Sequence, residues 1–156
     1  MFICLQWEEM FLTNLIIQHS KQDHLYALLR VAKEVGIPHV YVHFFGDGRD
    51  TDPKSGAGYM QQLLDKIKEI GIGDVATVVG RYYAMDRDKR WERIEVGLRA
   101  LTSGEGEEES SDPVKTIKER YEKGENDEFL KPIIVGGKES RIKGKHTQGG
   151  PLSHYR

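Results

Sequence analysis

The chain has 156 residues and a formal net charge of -2, with 38% hydrophobic and 31% charged residues. This length suffices for one domain with its own core, and the near-neutral charge argues against a nucleic-acid partner. The single cysteine, Cys4, excludes an internal disulfide framework and fits a reducing compartment. No apolar run is long enough to cross a bilayer, so we expect no membrane partner. The sequence also lacks zinc-type Cys/His spacing and a Walker-type loop.

The apolar pattern divides the chain into alternating strands and helices. Short apolar runs predict buried strands at residues 11–17, 40–45 and 75–79. Apolar stripes at helical spacing predict four helices, at residues 25–35, 59–70, 91–101 and 114–121. The alternation predicts an α/β fold, with a mainly parallel sheet flanked by helices in three layers, α/β/α.

Local signals refine this outline. Ser55 is a plausible N-cap for the second helix, because its hydroxyl can accept a backbone hydrogen bond there. Trp91 and Leu98 are expected on the buried face of the third helix. Residues 103–112 are acidic and glycine-rich, which predicts a solvated loop. Residues 129–135 are expected to be extended, and Pro132 limits them to a sheet edge or a strand start.

Charged side chains follow each predicted strand. His19 follows the first strand, Arg49 and Asp50 follow the second, and Arg81 and Arg87 follow the third. Ligands bind beyond the carboxyl ends of parallel strands, so we expect these residues at one edge of the sheet. Arginines bind carboxylates and phosphates, and a carboxylate among them stays ionised and can accept a hydroxyl proton. The pattern therefore predicts a site that handles a phosphorylated hydroxy acid.

Each of these features alone has an ordinary structural explanation. Residues 80–91 also fit a solvated charged loop with aromatic residues packed beneath it. A lone histidine at a strand end is usually structural, and an Asp-Gly pair is usually a turn. The coincidence at three consecutive strand ends favours a binding site. No nucleophile with a paired base and no Asp/His metal cage is evident, so this edge would supply only part of an active site.

Three segments resemble the cofactor-independent (2,3-bisphosphoglycerate-independent) phosphoglycerate mutase family. They are His19-Ser20 with Asp23-His24-Leu25, Asp47-Gly48-Arg49-Asp50, and GRYYAMDRDKRW at residues 80–91. The later segments at residues 126–129 and 132–135 also resemble the family. The resemblance covers residues 17–143 and implies a cytoplasmic glycolytic isomerase, part of glucose catabolism. Such an enzyme interconverts 3-phosphoglycerate and 2-phosphoglycerate through a phosphoserine intermediate, and the family is usually monomeric.

The resemblance also implies roles for individual residues. Asp50 would be the catalytic acid/base on the glycerate hydroxyls. The substrate-binding residues would be His19, Arg49, Asp50, Arg81 and Arg87. In the family, a serine nucleophile and two manganese ions lie in another domain, so we expect no metal ligand in this chain. The expected partner is a small molecule, with neither nucleic acid nor membrane.

The two ends of the chain depart from the family pattern. We therefore expect an atypical N-terminal segment at residues 1–16, a substrate domain at 17–143, and an atypical tail at 144–156, as in a truncated chain. Without the nucleophile and the metal segments, we expect no mutase activity from this chain alone. Two alternatives remain open, a non-catalytic domain that binds phosphoglycerates and an unstable fragment from a misjoined gene model.

Overall fold

The computed structural model describes residues 2–7, 11–13 and 22–142, with the first two ranges described by their backbone. The strands are β1 (Phe2–Trp7), β2 (Phe11–Thr13), β3 (Val40–Gly46), β4 (Asp74–Gly80), β5 (Glu108–Glu109) and β6 (Ile133–Ile134). The α-helices are α1 (Gln22–Val35), α2 (Gly56–Ile70), α3 (Arg81–Ala84), α4 (Trp91–Thr102) and α5 (Pro113–Glu122). Short 3-10 helices lie at Asp127–Phe129 and Lys138–Ser140.

The strands form one mixed sheet in the order β2-β1-β3-β4-β6-β5. The α/β fold class is confirmed, and the central pair β3–β4 is parallel as expected. The sheet as a whole is not mainly parallel, because β1 and β2 run antiparallel to their neighbours and β6 runs antiparallel to β4. The chain returns from the 3-10 helix near the carboxyl end of β4 and therefore enters β6 in the opposite direction.

The N-terminal part of the sheet differs from the prediction. Only residues 11–13 of the first predicted strand form a strand in the described part of the chain, and residues 14–20 lie outside it. This strand, β2, is at the edge of the sheet, whereas β1 lies beside β3. A short apolar run does not reveal whether it is central or peripheral, so the sequence pattern missed this order.

Helices pack on both faces of the sheet, as the predicted three layers require. One face is covered by α1, α2 and α5, where Leu29, Met60 and Ile117 are fully buried against Phe44 of β3. The other face carries a smaller cluster of Val79, Ala100 and Ile134, next to α3 and α4. Burying each large apolar side chain contributes about 1.5–3 kcal/mol, so the first face supplies most of the core stability.

The predicted buried face of α4 is wrong in two positions. Trp91 and Leu98 are 70% and 54% exposed, whereas Gly97 and Ala100 are buried. A Cβ atom on Gly97 would lie 3.1 Å from the Tyr83 carbonyl oxygen. The helix therefore approaches α3 through its small residues, because only they leave room for the neighbouring backbone.

A distant aspartate caps α2 in place of the predicted Ser55. Ser55 occupies the N-cap position, but its hydroxyl donates to the Asp52 carbonyl oxygen at 2.8 Å. The Asp127 carboxylate accepts the Gly56 backbone N–H at 2.7 Å and the Tyr121 hydroxyl hydrogen bond. We call Asp127, Tyr121 and Gly56 the α2 anchor. It joins the start of α2 to α5 and to the 3-10 helix at the carboxyl edge of the sheet.

Candidate functional site

The 3-10 helix Asp127–Phe129 is seated on glycines at the carboxyl ends of β3 and β4. A Cβ on Gly48 would lie 2.7 Å from the Glu128 backbone nitrogen, and one on Gly80 would lie 2.7 Å from the Leu130 nitrogen. Gly48 also has a φ of 64°, which side-chain-bearing residues rarely adopt. Any larger residue would force the 3-10 helix away. The glycines therefore allow Glu128 to lie beside the loop that follows β3.

Arg81 joins the two strand ends electrostatically. Its Nη1 donates to a carboxylate oxygen of Asp50 at 2.8 Å and also to the Asp47 carboxylate. The Arg81 side chain is only 12% exposed, and Asp47 is buried. Two acidic partners fix the orientation of this guanidinium, because each hydrogen bond to it is charge-assisted. We call Asp47, Asp50 and Arg81 the Arg81 cluster.

The pKa shifts of Asp47 and Arg81 favour the charged form of each group. Burial acts to raise the pKa of Asp47, but hydrogen bonds from Arg81 and from the Asp50 backbone N–H outweigh it and lower that pKa. Burial likewise acts to lower the pKa of Arg81, and the hydrogen bonds to Asp50 and Asp47 raise it instead. Asp47 and Arg81 are therefore fixed charges at neutral pH.

A cleft of about 180 Å³ opens next to the Arg81 cluster. The Arg49 side chain is 63% exposed, and its Nη1 lies 3.9 Å from Glu128 Oε1. Arg87 is exposed, and within residues 22–142 its side chain has no hydrogen bond or ion pair. The lining residues are Arg49, Arg81, Tyr82, Met85, Asp86, Arg87, Asp88, Arg93 and Glu128. Such a cleft offers several arginines to a small anion, and Arg49 and Arg87 are both exposed.

The structure brings together four of the predicted site residues. Arg49, Arg81 and Arg87 line the cleft, and Asp50 joins them through its hydrogen bond to Arg81. His19 lies outside the described residues.

Other residues at the cleft were not predicted as site residues. Asp47 and Asp86 lie inside the quoted motifs, and Arg93 lies two residues beyond the third motif, which ends at Trp91. The signal for Arg93 was available, because its spacing from Arg87 equals that between Arg81 and Arg87. Glu128 lies in a segment that resembles the family, but nothing in the sequence placed it at this edge, because only the packing of the 3-10 helix on the glycines brings it there.

The described residues do not fit a manganese site. Residues 2–7, 11–13 and 22–142 contain no group of three or more His, Cys, Asp or Glu side chains placed to hold a metal ion. We therefore derive no metal-dependent step from them. Within the same ranges, no helix is long and apolar enough to cross a membrane.

Comparisons with known proteins agree with the motifs at this edge. A sequence profile of the family described as "BPG-independent PGAM N-terminus" matches residues 17–148. The chain belongs to this phosphoglycerate mutase family. A 2,3-bisphosphoglycerate-independent phosphoglycerate mutase of Onchocerca volvulus is 56% identical over 121 residues, which are 77% of this chain and 24% of that protein. One of Caenorhabditis elegans is 50% identical over 131 residues, 83% of this chain and 24% of the relative.

The chain thus spans about a quarter of the length of these phosphoglycerate mutases. A solved structure, "Crystal structures of Leishmania mexicana phosphoglycerate mutase at low cobalt concentration", is similar with a TM-score of 0.68 and 24% identity. The similarity covers 78% of this chain and 23% of that one. At this identity the structural match supports the α/β fold alone.

Proposed function

We propose that the cleft binds the phosphoglycerate substrate of a 2,3-bisphosphoglycerate-independent phosphoglycerate mutase. In this proposal residues 17–143 are the substrate domain of a glycolytic isomerase, which converts 3-phosphoglycerate to 2-phosphoglycerate. The supporting observation is that three arginines from two separate motifs line one cleft in a chain of this family. A phosphoglycerate carries a carboxylate and a phosphate, which are the groups that arginine binds best.

The surroundings of each residue suggest its role. Arg87 is exposed and is proposed to bind one anionic group of the substrate. Arg49 is proposed to release Glu128 and to bind the second anionic group instead. The 3.9 Å separation of Arg49 from Glu128 is long for a charge-assisted hydrogen bond, so a ligand can replace it at small cost. Arg81 is oriented by its acidic partners before a ligand arrives. His19 remains a proposed phosphate-binding residue.

Asp50 is the proposed acid/base on the substrate hydroxyls. Its carboxylate accepts a hydrogen bond from Arg81 at 2.8 Å, which fixes its orientation beside the guanidinium. An ionised carboxylate fixed near bound glycerate can accept a hydroxyl proton and return it to the neighbouring oxygen. The phosphoryl group itself needs a nucleophile from elsewhere.

We propose that this chain alone does not interconvert the two phosphoglycerates. The serine nucleophile and the two manganese ions are expected from the rest of the family's protein, and the described residues offer no metal-binding group. Cytoplasmic location and a monomeric state are proposed on the family resemblance. Incubation with manganese and 3-phosphoglycerate, followed by detection of 2-phosphoglycerate, tests the proposal. Steady product formation by pure protein would overturn it.

Calorimetric titration of the full chain with 3-phosphoglycerate tests the binding proposal. Circular dichroism first establishes that each protein is folded. We expect saturable binding by the wild type and affinity about tenfold or more weaker for Arg87→Ala, because one charge-assisted hydrogen bond contributes about 1.5–3 kcal/mol. Arg30→Ala is the matched control, since Arg30 is an exposed arginine of α1. No binding by folded wild type, or equal binding by both variants, would contradict the proposal.

A further inference from the structure

Asp86 closes the loop between α3 and α4. Its side chain is only 2% exposed, although it lies in a charged surface segment. Its Oδ2 atom accepts the backbone N–H of Asp88 at 3.1 Å and that of Arg90 at 2.8 Å. A buried carboxylate with two backbone donors fixes the path of the chain between them. Arg87 lies within this closed turn, directly after Asp86.

The turn is tight enough to include an uncommon backbone conformation. Lys89 has a φ of 60°, in the left-handed region that is unfavourable for a residue with a Cβ. The two hydrogen bonds to Asp86 offset this cost, because each involves a charged acceptor. Without them the loop would relax, and the backbone from which the Arg87 side chain projects would no longer be fixed.

The second oxygen of Asp86 orients another arginine of the cleft. Arg93 Nη1 donates to Asp86 Oδ1 at 3.2 Å, and its guanidinium carbon lies 4.0 Å from the centre of the Tyr82 ring. The Tyr82 ring in turn packs against Phe129, with their centroids 5.0 Å apart. Arg93 is therefore confined between a carboxylate and an aromatic face, which favours one guanidinium orientation.

We propose that Asp86 is a positioning residue that holds Arg87 and Arg93 on one wall of the cleft for a shared anionic ligand. This inference rests on the proposed function and adds two residues, Asp86 and Arg93, to the binding machinery. A free arginine loses side-chain entropy when it binds a ligand. An arginine whose backbone or guanidinium is already fixed loses less, so the ligand binds more tightly.

Two substitutions of Asp86 separate its two contacts. Asp86→Asn keeps an oxygen that can accept the backbone N–H groups but removes the charge that pairs with Arg93. Asp86→Ala removes both contacts. In titrations with 3-phosphoglycerate, we expect affinity about tenfold weaker for the alanine variant and a smaller loss for the asparagine variant. Asp65→Ala is the control, because Asp65 is an exposed aspartate of α2.

A double substitution distinguishes positioning from general destabilisation. In an Arg87→Ala background, Asp86→Ala should cost clearly less affinity than it does in the wild type, because one of the groups it positions is gone. Equal losses in the two backgrounds, or unchanged affinity in both Asp86 variants while Arg87→Ala weakens binding, would overturn the inference alone. Absence of binding by the folded wild type would instead overturn the proposed function and this inference together.

Discussion

Two buried carboxylates at the same edge of the sheet have opposite pKa shifts. Hydrogen bonds from Arg81 and the Asp50 backbone lower the pKa of Asp47 despite its burial. Burial raises the pKa of Asp127 and outweighs the hydrogen bonds from Tyr121 and from the first turn of α2. The partners explain the difference, since a guanidinium carries a full charge whereas hydroxyl and backbone donors are neutral.

The comparison separates a binding region from a structural one. The Arg81 cluster holds charged groups next to the open cleft, where a charged ligand can take the place of one of the ion-pair partners. The α2 anchor is closed, and its donors connect elements distant in the chain, with Asp127 and Gly56 separated by 71 positions. Substitutions in the anchor should therefore act on folding, and those in the cluster on charge and binding.

The largest expected effect is that of Asp127→Ala. It leaves the Gly56 N–H and the Tyr121 hydroxyl without their acceptor and removes the cap of α2. We expect the free energy of unfolding to fall by about 3 kcal/mol, measured by urea denaturation. Asp127→Asn, which retains one oxygen acceptor, should lose clearly less. An alanine variant as stable as the wild type would show that the anchor does not stabilise the fold.

Substitutions of Gly80 and Gly58 test how closely the 3-10 helix Asp127–Phe129, which connects the two regions, packs on the strand ends. Gly80→Ala would bring a Cβ within 2.7 Å of the Leu130 nitrogen, so we expect a loss of about 2 kcal/mol in thermal or urea unfolding. Gly58→Ala is the matched control, because Gly58 lies in α2 with no atom within 4 Å of the added Cβ. The control should gain up to about 1 kcal/mol, since alanine favours helix. Equal effects at both positions would contradict the close seating of the 3-10 helix.

The smallest expected effect is the loss of stability in Asp47→Asn. It is also the most specific test, because the loss should change with pH in one direction only. Asp47→Asn should lower the free energy of unfolding by about 1 kcal/mol at neutral pH, since Arg81 keeps Asp50 as a partner. The folded-state pKa of Asp47 is lowered, so the wild-type advantage exists above the unfolded pKa of about 4 and is lost as pH falls.

Asp127 should show the opposite slope. Its folded-state pKa is raised, so its stabilising contribution is fully present below about pH 4 and is lost as pH rises through the folded pKa. The stability difference between wild type and Asp127→Asn should therefore shrink with rising pH, while that for Asp47→Asn grows. Urea unfolding across an acid-to-neutral pH series measures both. Parallel slopes would show that the two carboxylates are not in different electrostatic states.

Much of the central fold could be predicted from periodicity. The apolar runs of β3 and β4 and the stripes of α1, α2 and α5 are long enough to indicate both their type and their buried face. The exposed Trp91 of α4 could not be predicted, because the contact there depends on small residues that leave room for α3. Periodicity describes one element at a time and does not show which neighbour approaches closely.

The residues of the candidate site likewise fall into those whose position could be predicted from the sequence and those whose position could not. Arg49, Arg81 and Arg87 could be predicted because each follows a strand that the sequence reveals, and parallel strands bring such ends together. Glu128 and Asp127 could not, since they reach the edge through a 3-10 helix whose position depends on glycines far away in the chain. Their contacts are long-range, and no local pattern encodes them.

The close packing of residues 127–130 on Gly46, Gly48 and Gly80 also affects the order in which a growing chain can fold. Gly46, Gly48 and Gly80 leave the ribosome well before Asp127 and Leu130, the residues that close over them. Until that later segment emerges, the carboxyl edge of β3 and β4 has neither its Glu128 nor the capped start of α2. Completion of the cleft therefore has to wait until the segment after α5 has been synthesised, and a nascent chain that stalls near α5 would present an open, uncapped edge to chaperones.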